Sequence, residues 1–171
     1  MKETIRIAGV IRESIVDGPG LRFAVFTQGC AHACPECQNP ETWDFKGGYD
    51  CEIDKILAAM DENPLLDGIT LSGGDPLYQP EASAVLARKV KEKGLNVVVF
   101  TGYTFEELME LKEKDPWVGE LLRYTDILID GRYDKDQRDL TLIFRGSRNQ
   151  RVIDCKRALE EGRAVLDERY N

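Results

Sequence analysis

Three cysteines crowded into eight residues are the first feature of the sequence that could do chemistry. Cys30, Cys34 and Cys37 form a C-x3-C-x2-C arrangement, which places three thiolates on a loop short enough to wrap one inorganic centre. A cubane iron–sulfur cluster with four cysteine ligands is coordinatively closed, whereas three cysteines leave one iron open to another ligand. The spacing therefore predicts an iron–sulfur centre with one open iron.

Two other interpretations of these cysteines stay open on pattern alone. His32 lies between the first two cysteines and could complete a Cys3His tetrahedron, the ligand set of a structural zinc site. The thiols could also be inert buried residues, although three of them directly after a strand make this less favoured. Cys51 and Cys155 lie apart from the cluster and are expected to be ordinary helix residues.

The rest of the chain predicts strands that alternate with helices. Apolar runs bounded by turn residues predict strands at 4–11, 21–26, 68–71, 95–100 and 126–130, with one more at 140–144. Helical spacing of apolar residues predicts helices at 51–62, 80–93, 105–114 and 154–162. Thr104 and Glu107 are placed to cap the third of these helices. Such alternation indicates βαβ units and a mainly parallel sheet of roughly four strands.

Glycine and polar residues follow each predicted parallel strand. Gly29 and Cys30 follow one strand, and the segments 72–75, 101–103 and 130–133 follow the next three. Ligand sites in parallel α/β folds lie at the carboxyl ends of the strands, where loop amides and helix N-termini converge. These four loops are therefore expected to share one rim.

Length and charge exclude several classes of protein. The 171 residues fit one domain, and a complete eight-fold β/α barrel takes about 250 residues, so any barrel here must be partial. With 23 basic and 31 acidic residues the net charge is −8, which disfavours a protein whose main task is binding nucleic acid. The longest apolar runs are far shorter than the roughly 18 residues of a membrane helix.

The cysteine count and the amino terminus favour a cytoplasmic protein. Five cysteines, an odd number in a chain of this size, argue against a secreted disulfide framework. The first six residues contain no apolar core of a signal peptide. Both observations predict a reducing compartment.

The cysteine segment, residues 30–39, resembles the cluster loop of the radical S-adenosylmethionine superfamily, whose C-x3-C-x2-C motif binds a 4Fe–4S cluster. Residues 16–22 and 39–43 are similar to the activating enzymes of glycyl radical enzymes. Within that group, the chain resembles the branch that activates the anaerobic (class III) ribonucleoside-triphosphate reductase. This last resemblance rests on His32 and on the segments 72–77, 131–133 and 144–151, and in all it spans residues 10 to 151.

The resemblance implies a fold and a reaction. The fold would be a compact partial (βα) barrel, forming a single radical SAM domain over residues 1–171. Cys30, Cys34 and Cys37 would hold three irons, and S-adenosylmethionine would chelate the fourth. This oxidoreductase would cleave S-adenosylmethionine reductively, and the resulting 5′-deoxyadenosyl radical would take hydrogen from a glycine of the reductase. An electron donor such as flavodoxin or ferredoxin is implied, and docking of the reductase is expected to close the rim.

The resemblance also implies contacts to S-adenosylmethionine. Gly73 and Gly74 would let the backbone approach its methionyl end, and Asp75 would offer a carboxylate to its ammonium group. A plain strand-to-helix turn would explain the same residues without a ligand. The superfamily often has an aromatic residue before the third cysteine, where this chain has a glutamate. Glu36 and Gln38 are expected beside the adenine, chiefly through their backbone, and Cys37 between them is also expected to bind the cofactor.

Other polar residues are expected to lie near the rim. His32 would order the cysteine loop or shape access to the cluster. Asp17 would make a turn hydrogen bond or help to dock the partner's glycine loop, and Asp130 is a similar rim group. Residues 145–157 hold five basic residues and one acid, which suggests either a partner contact or a solvated helix face.

Other functions stay possible on sequence alone. An activase of another glycyl radical enzyme, such as pyruvate formate-lyase, would share the chemistry, although the short chain argues against it. A radical enzyme with a small-molecule substrate and a non-catalytic zinc-binding interaction module are the remaining alternatives.

Overall fold

A seven-stranded sheet forms the centre of the fold in the computed structural model, which describes residues 2–32 and 40–171. The strands are β1 Thr4–Ser14, β2 Arg22–Thr27, β3 Tyr49–Glu52, β4 Gly68–Gly73, β5 Asn96–Phe100, β6 Ile127–Asp130 and β7 Arg151–Asp154. Their order is β3-β1-β2-β4-β5-β6-β7, and the four central strands β2, β4, β5 and β6 are parallel. The flanking pairs β1–β2, β1–β3 and β6–β7 are antiparallel. This confirms the α/β class and the mostly parallel sheet. Within the described ranges β3 is an edge strand, and residues 165–167 pair with the outer side of β7 through backbone hydrogen bonds.

Helices pack on one face of this sheet. They are α1 Ile53–Asp61, α2 Pro80–Glu92, α3 Phe105–Lys114, α4 Pro116–Arg123 and α5 Cys155–Glu161. Val25, Leu71, Val99 and Leu128 lie in register across the parallel strands and are buried in the same core as the apolar faces of the helices. Because side chains alternate along a strand, this face accounts for every second residue of the central strands. In the described part of the chain, no helix combines the length and apolarity needed to cross a bilayer.

The opposite face of the sheet carries a smaller core. Val98, Ile129 and Val152 are buried there, and Phe144 and Tyr170 pack against them. The rings of Phe144 and Tyr170 lie 5.4 Å apart. The chain between β6 and β7 therefore folds back over this face and forms a wall beside the carboxyl ends of the parallel strands.

Arg22, at the start of β2, holds the turn that precedes this strand, at the amino ends of the parallel strands. Its side chain lies inside the protein, with 1% of the residue exposed. The guanidinium donates to the carbonyls of Pro19 and Ile69 and to the Thr70 hydroxyl, at 2.7–2.9 Å. Thr70 in turn donates to the carbonyl of Asp17. These bonds fix the turn over residues 17–20, and burial lowers the pKa of Arg22 to about 10.

Most predicted elements are confirmed, but the predicted strand at 140–144 is wrong. That segment forms turns, with Leu140 80% exposed and Phe144 at a positive φ of 61°. The strand that pairs with β6 is instead β7, which begins at Arg151. In this segment Leu140 is exposed at the surface, and Leu142 and Phe144 line the groove described below.

The two isolated cysteines differ in position. Cys51 lies in the edge strand β3, so its prediction as a helix residue is wrong. Cys155 is the first residue of α5 and is fully buried, as predicted for a helix residue. Burial raises the pKa of the Cys155 thiol to about 12, which keeps it protonated. Cys155 lies in the main core and Cys51 packs against that core, so packing accounts for the positions of both side chains.

Candidate functional site

The loops that follow β2, β4, β5 and β6 line one cavity, as the sequence predicts. Cys30, Gly73, Gly102 and Gly131 each come from a different loop, and the cavity measures about 120 Å³. The register of the four parallel strands brings their carboxyl ends to the same edge of the sheet. The cysteine loop and three glycine-containing loops therefore share one rim.

Cys30 is the member of the cysteine triad that the structure describes. The residue is half-buried and lines the cavity. Gly29 and Cys30 donate backbone hydrogen bonds to the carbonyls of Thr42 and Trp43, at 2.6 and 3.1 Å. These bonds close the base of the loop. The other predicted ligands and adenine contacts, Cys34, Glu36, Cys37 and Gln38, lie outside the described residues and stay predictions.

Gly73 and Gly74 pack the β4 loop directly onto the cysteine loop. Gly73 has a φ of +95°, and a Cβ on Gly74 would lie 2.4 Å from the carbonyl oxygen of Gly29. The Gly74 amide donates to Thr27, and the amide of Asp75 donates to Gly29 at 2.9 Å. Protein backbone thus fills the space that a side chain would need. On their other side both glycines face the cavity. This position is compatible with the predicted backbone contact to a cofactor, which stays a prediction.

Asp75 is a buried hub of hydrogen bonds. Its Oδ2 accepts from His32 at 2.7 Å and from the Thr101 hydroxyl and the Gly102 amide, both at 2.9 Å. Oδ1 accepts from the amide of Leu77. These four donors match the acceptor capacity of a carboxylate. The contacts favour a positioning role for Asp75, and a direct bond to an ammonium group stays a prediction.

His32 uses both ring nitrogens within the protein. Nε2 donates to Asp75, because a carboxylate accepts, and Nδ1 accepts from Nε of Arg132 at 3.2 Å, because a guanidinium only donates. A zinc ligand needs a ring nitrogen with an available lone pair. Because both ring nitrogens of His32 are engaged within the protein, the arrangement disfavours His32 as the fourth ligand of a Cys3His zinc site.

Asp17 and Asp130 have different surroundings. Asp17 accepts a hydrogen bond from the Ser14 hydroxyl, which is the turn contact expected from the sequence, and it also faces a groove. Asp130 is buried, caps the amide of Phe105 at the start of α3 and pairs with Arg151. The bond to Asp130 raises the pKa of Arg151. Asp130 is therefore a structural group at the rim.

A larger groove of about 390 Å³ adjoins the cavity. The two spaces share Ser72, Phe100, Tyr133 and Gln150 in their linings. The Gln150 side chain accepts from the amide of Gly146 at 2.9 Å and donates to the carbonyl of Gly131 at 3.0 Å. One glutamine thus holds the groove wall to the loop after β6. The sequence contains this residue in the 144–151 motif but gives no sign of its partners.

The basic segment 145–157 does not form one patch. Arg145 donates to the carbonyl of Tyr170, and Arg151 binds Asp130 and Glu106. Arg157 pairs with Glu161 along α5. Internal contacts therefore use much of the local positive charge that the sequence suggested as a docking surface.

Comparison with known proteins identifies the family. The family model described as a 4Fe-4S single cluster domain matches residues 16–153. Proteins named anaerobic ribonucleoside-triphosphate reductase-activating protein are 38% identical in Vibrio cholerae, 36% in Enterobacteria phage T4 and 34% in Escherichia coli. These matches cover 80%, 80% and 81% of this chain and 89%, 86% and 91% of the relatives.

Among solved structures, QueE from Escherichia coli aligns at 15% identity and a TM-score of 0.44, over 59% of this chain and 54% of that one. The sequence matches, by contrast, cover most of both chains, and they agree with the motifs on the rim. The chain carries a 4Fe-4S single cluster domain and belongs to the family of anaerobic ribonucleoside-triphosphate reductase-activating proteins.

Proposed function

We propose that this protein is a radical S-adenosylmethionine activase that generates the glycyl radical of an anaerobic ribonucleotide reductase. The observation that carries the proposal is the position of Cys30. The first cysteine of the C-x3-C-x2-C motif faces a cavity at the carboxyl ends of four parallel strands, beside the Gly73–Gly74 backbone. The names of the relatives point to the same target.

The residues present fit an iron–sulfur cluster. Thiolates are the usual protein ligands of such clusters, and Cys30, Cys34 and Cys37 would supply three of them. When bound, the cluster and S-adenosylmethionine supply an electron and a sulfonium, whose reductive cleavage gives methionine and a 5′-deoxyadenosyl radical that takes a hydrogen atom from the reductase glycine. The chain's task is then to hold these groups in register and to keep water away.

The rim loops perform the holding. The backbone bonds from Gly29 and Cys30 to residues 42–43 fix the base of the cysteine loop, and Gly74 packs against it. On the cavity side, the Gly73–Gly74 backbone is available to the methionyl end of S-adenosylmethionine. In this proposal, Asp75 supports both loops from beneath.

The adjoining groove provides a route for the partner. Val16, Phe100 and Phe144 give it apolar walls, and Tyr133 and Gln150 connect it to the cavity. An extended glycine segment of the reductase entering here would reach the cavity with apolar side chains on its flanks. Such closure excludes water and stray hydrogen donors from a radical reaction.

The finer features implied by the resemblance belong to the same proposal. The sheet and its helices would form a partial (βα) barrel, and residues 1–171 would make up one radical SAM domain. The enzyme would be an oxidoreductase that takes its electron from a donor such as flavodoxin or ferredoxin. The net charge of −8 supports a protein partner rather than a nucleic acid.

The test is anaerobic reconstitution with iron and sulfide, followed by addition of S-adenosylmethionine, dithionite and the reductase. We expect about four irons per chain, formation of 5′-deoxyadenosine, and a glycyl radical signal in the EPR spectrum of the reductase. Cys30→Ser, Cys34→Ser and Cys37→Ser should each abolish the radical. Cys51→Ser is the matched control, because Cys51 lies in the edge strand β3, and it should keep full activity.

Each alternative has its own outcome. One zinc per chain and no cluster would overturn the proposal in favour of a structural metal module. A cluster with cleavage of S-adenosylmethionine, but a radical formed only on another glycyl radical enzyme such as pyruvate formate-lyase, would contradict the assigned partner. Equal activity in Cys34→Ser and wild type would contradict the ligand set.

A further inference from the structure

One histidine side chain connects four loops of the rim. His32 lies in the cysteine loop, and its hydrogen bonds reach Asp75 after β4 and Arg132 after β6. Through Asp75 it is also joined to Thr101 and Gly102 after β5. We infer that His32 is a positioning residue, which fixes the cysteine loop, and so the cluster, relative to the loops that bind S-adenosylmethionine. This inference rests on the proposed function.

The attachment of His32 to Asp75 is buried and rigid. Of the two side chains, 4% of His32 and none of Asp75 is exposed, and the atoms Nε2 and Oδ2 lie 2.7 Å apart. The same oxygen accepts from the Thr101 hydroxyl and the Gly102 amide, so the carboxylate cannot swing without breaking three bonds. The histidine is therefore bound to a fixed point of the β4 and β5 loops.

Packing fixes the plane of the imidazole ring. The Tyr103 ring meets it edge-on, with centroids 4.7 Å apart, and the Tyr78 ring lies 5.5 Å away. A Cβ on Gly102 would lie 2.5 Å from Cδ2 of His32, so the ring occupies the space that only glycine leaves. Gly102 and the two tyrosine rings therefore enclose the imidazole and favour one orientation of its plane.

The second ring nitrogen extends the connection to the β6 loop and to α3. Nε of Arg132 donates to Nδ1 of His32, and Nη1 lies 3.6 Å from Glu107. Glu107 is itself fixed, because it accepts from the amide of Thr104 in the capping box of α3. The chain of contacts thus runs from Asp75 through His32 and Arg132 to a helix N-terminus.

The place of His32 in the motif gives these contacts their effect. His32 follows Cys30 by two residues and precedes Cys34 by two. The backbone bonds of residues 29 and 30 hold the base of the loop, and His32 holds it from inside the motif. Without the imidazole, the cysteines should be held less firmly relative to one another, while the backbone hydrogen bonds at the base of the loop remain.

The experiment compares three variants of the full chain after anaerobic reconstitution. His32→Leu removes both hydrogen bonds, and His32→Gln keeps an amide near the position of Nε2. Thr125→Val is the matched control, because it deletes a buried hydroxyl that bonds to Leu121, at the amino end of β6 and away from the rim. The measurements are thermal unfolding, the rate of iron loss to a chelator, and the EPR spectrum of the reduced cluster with and without S-adenosylmethionine.

The expected result separates positioning from general stability. His32→Leu should lose iron about ten-fold faster than wild type, since partners just outside a metal's ligands typically change affinity by that factor or more. Its EPR spectrum should respond less to S-adenosylmethionine. His32→Gln should recover most of both properties. Thr125→Val should unfold at a lower temperature but lose iron at the wild-type rate.

Other outcomes would overturn the inference. The inference is wrong if His32→Leu loses iron at the wild-type rate and shows the wild-type EPR response. It is also wrong if Thr125→Val loses iron as fast as His32→Leu. If His32→Leu does not fold, Arg132→Ala decides, because it removes one bond of the same ring from the half-exposed side. It should change iron loss in the same direction, and no change would refute the role. Failure of wild type to bind a cluster would instead refute the proposed function.

Discussion

Gly74→Ala should displace the cysteine loop without touching a cysteine. A Cβ at residue 74 would lie 2.4 Å from the carbonyl oxygen of Gly29 and 2.8 Å from that of Thr42. Both are backbone atoms of the two segments that close the cysteine loop. No side-chain rotation can relieve this contact, so the loop itself must move.

The size of the effect follows from these distances. Ordinary van der Waals contact begins at 3.4 Å, so Gly29 must retreat by 1.0 Å (from 2.4 to 3.4 Å). Such a movement breaks the 2.9 Å bond from the amide of Asp75 to Gly29. Overpacking costs about 1–3 kcal/mol and a lost hydrogen bond about 1 kcal/mol, which gives about 3 kcal/mol in all. For a chain of this length that lowers Tm by about 6–12 °C.

The assay is anaerobic thermal unfolding of the reconstituted protein, with iron content measured on the same samples. Gly119→Ala is the matched control, because a Cβ there meets only Lys112 at 3.7 Å. Gly119 lies in α4, where alanine is favoured over glycine by about 0.5–1 kcal/mol, so Tm should rise slightly. A Gly74→Ala protein with wild-type Tm and four irons would refute the packing of these two loops.

Three further predictions concern the buried charges and the buried thiol. Arg151→Met should lower the free energy of unfolding by about 3 kcal/mol, because the Asp130 side chain is 1% exposed and would lose its guanidinium partner. Arg157→Met is the control: it removes an exposed ion pair and should change the free energy of unfolding by no more than about 0.5 kcal/mol. Arg22→Met should cost about 3 kcal/mol, because buried carbonyls lose their donor. Urea titration measures both. Burial raises the pKa of the Cys155 thiol from its ordinary value of 9.0 to about 12 in the folded protein, so the unfolded chain loses this proton first. Between pH 9 and 12, wild-type stability should therefore fall more steeply than that of Cys155→Ala, by up to about 1.4 kcal/mol per pH unit in urea titrations.

The central strands and helices could be predicted because their apolar patterns are strong. The β-branched run before Phe100 forms a buried parallel strand, as expected. Thr104 and Glu107 form the predicted capping box, with bonds of 3.1 and 3.0 Å. In these elements local propensity and tertiary packing require the same conformation.

The elements that escaped prediction lack such a pattern. The strand β3, Tyr49–Glu52, is short and largely exposed, and its partners in β1 lie 42 to 48 positions earlier in the chain (Ile7 with Tyr49, Thr4 with Glu52). The helix α4 is only eight residues long and begins directly after α3. Within the segment 140–144, Leu142 and Phe144 line the groove, and an apolar run alone cannot distinguish that role from a strand.

Within the site, the sequence could place the loops but not the contacts between them. Parallel strands bring their carboxyl ends to one edge, which made the shared rim predictable. The partners of His32, by contrast, lie 43 and 100 positions away in the chain. Such pairs depend on how the loops fold over the rim, and no local spacing in the sequence encodes them.

The two explanations of Gly73 and Gly74, a tight turn and a cofactor contact, require different tests. On one side of Gly74 the space is filled by the carbonyls of Gly29 and Thr42, which alone explains why glycine is needed. On the other side the same backbone faces the cavity. Loss of activity in a Gly74 variant would therefore follow from displacement of the cysteine loop, whether or not the backbone binds a cofactor. A change in affinity for S-adenosylmethionine supports direct contact only in a variant that keeps its iron and its Tm.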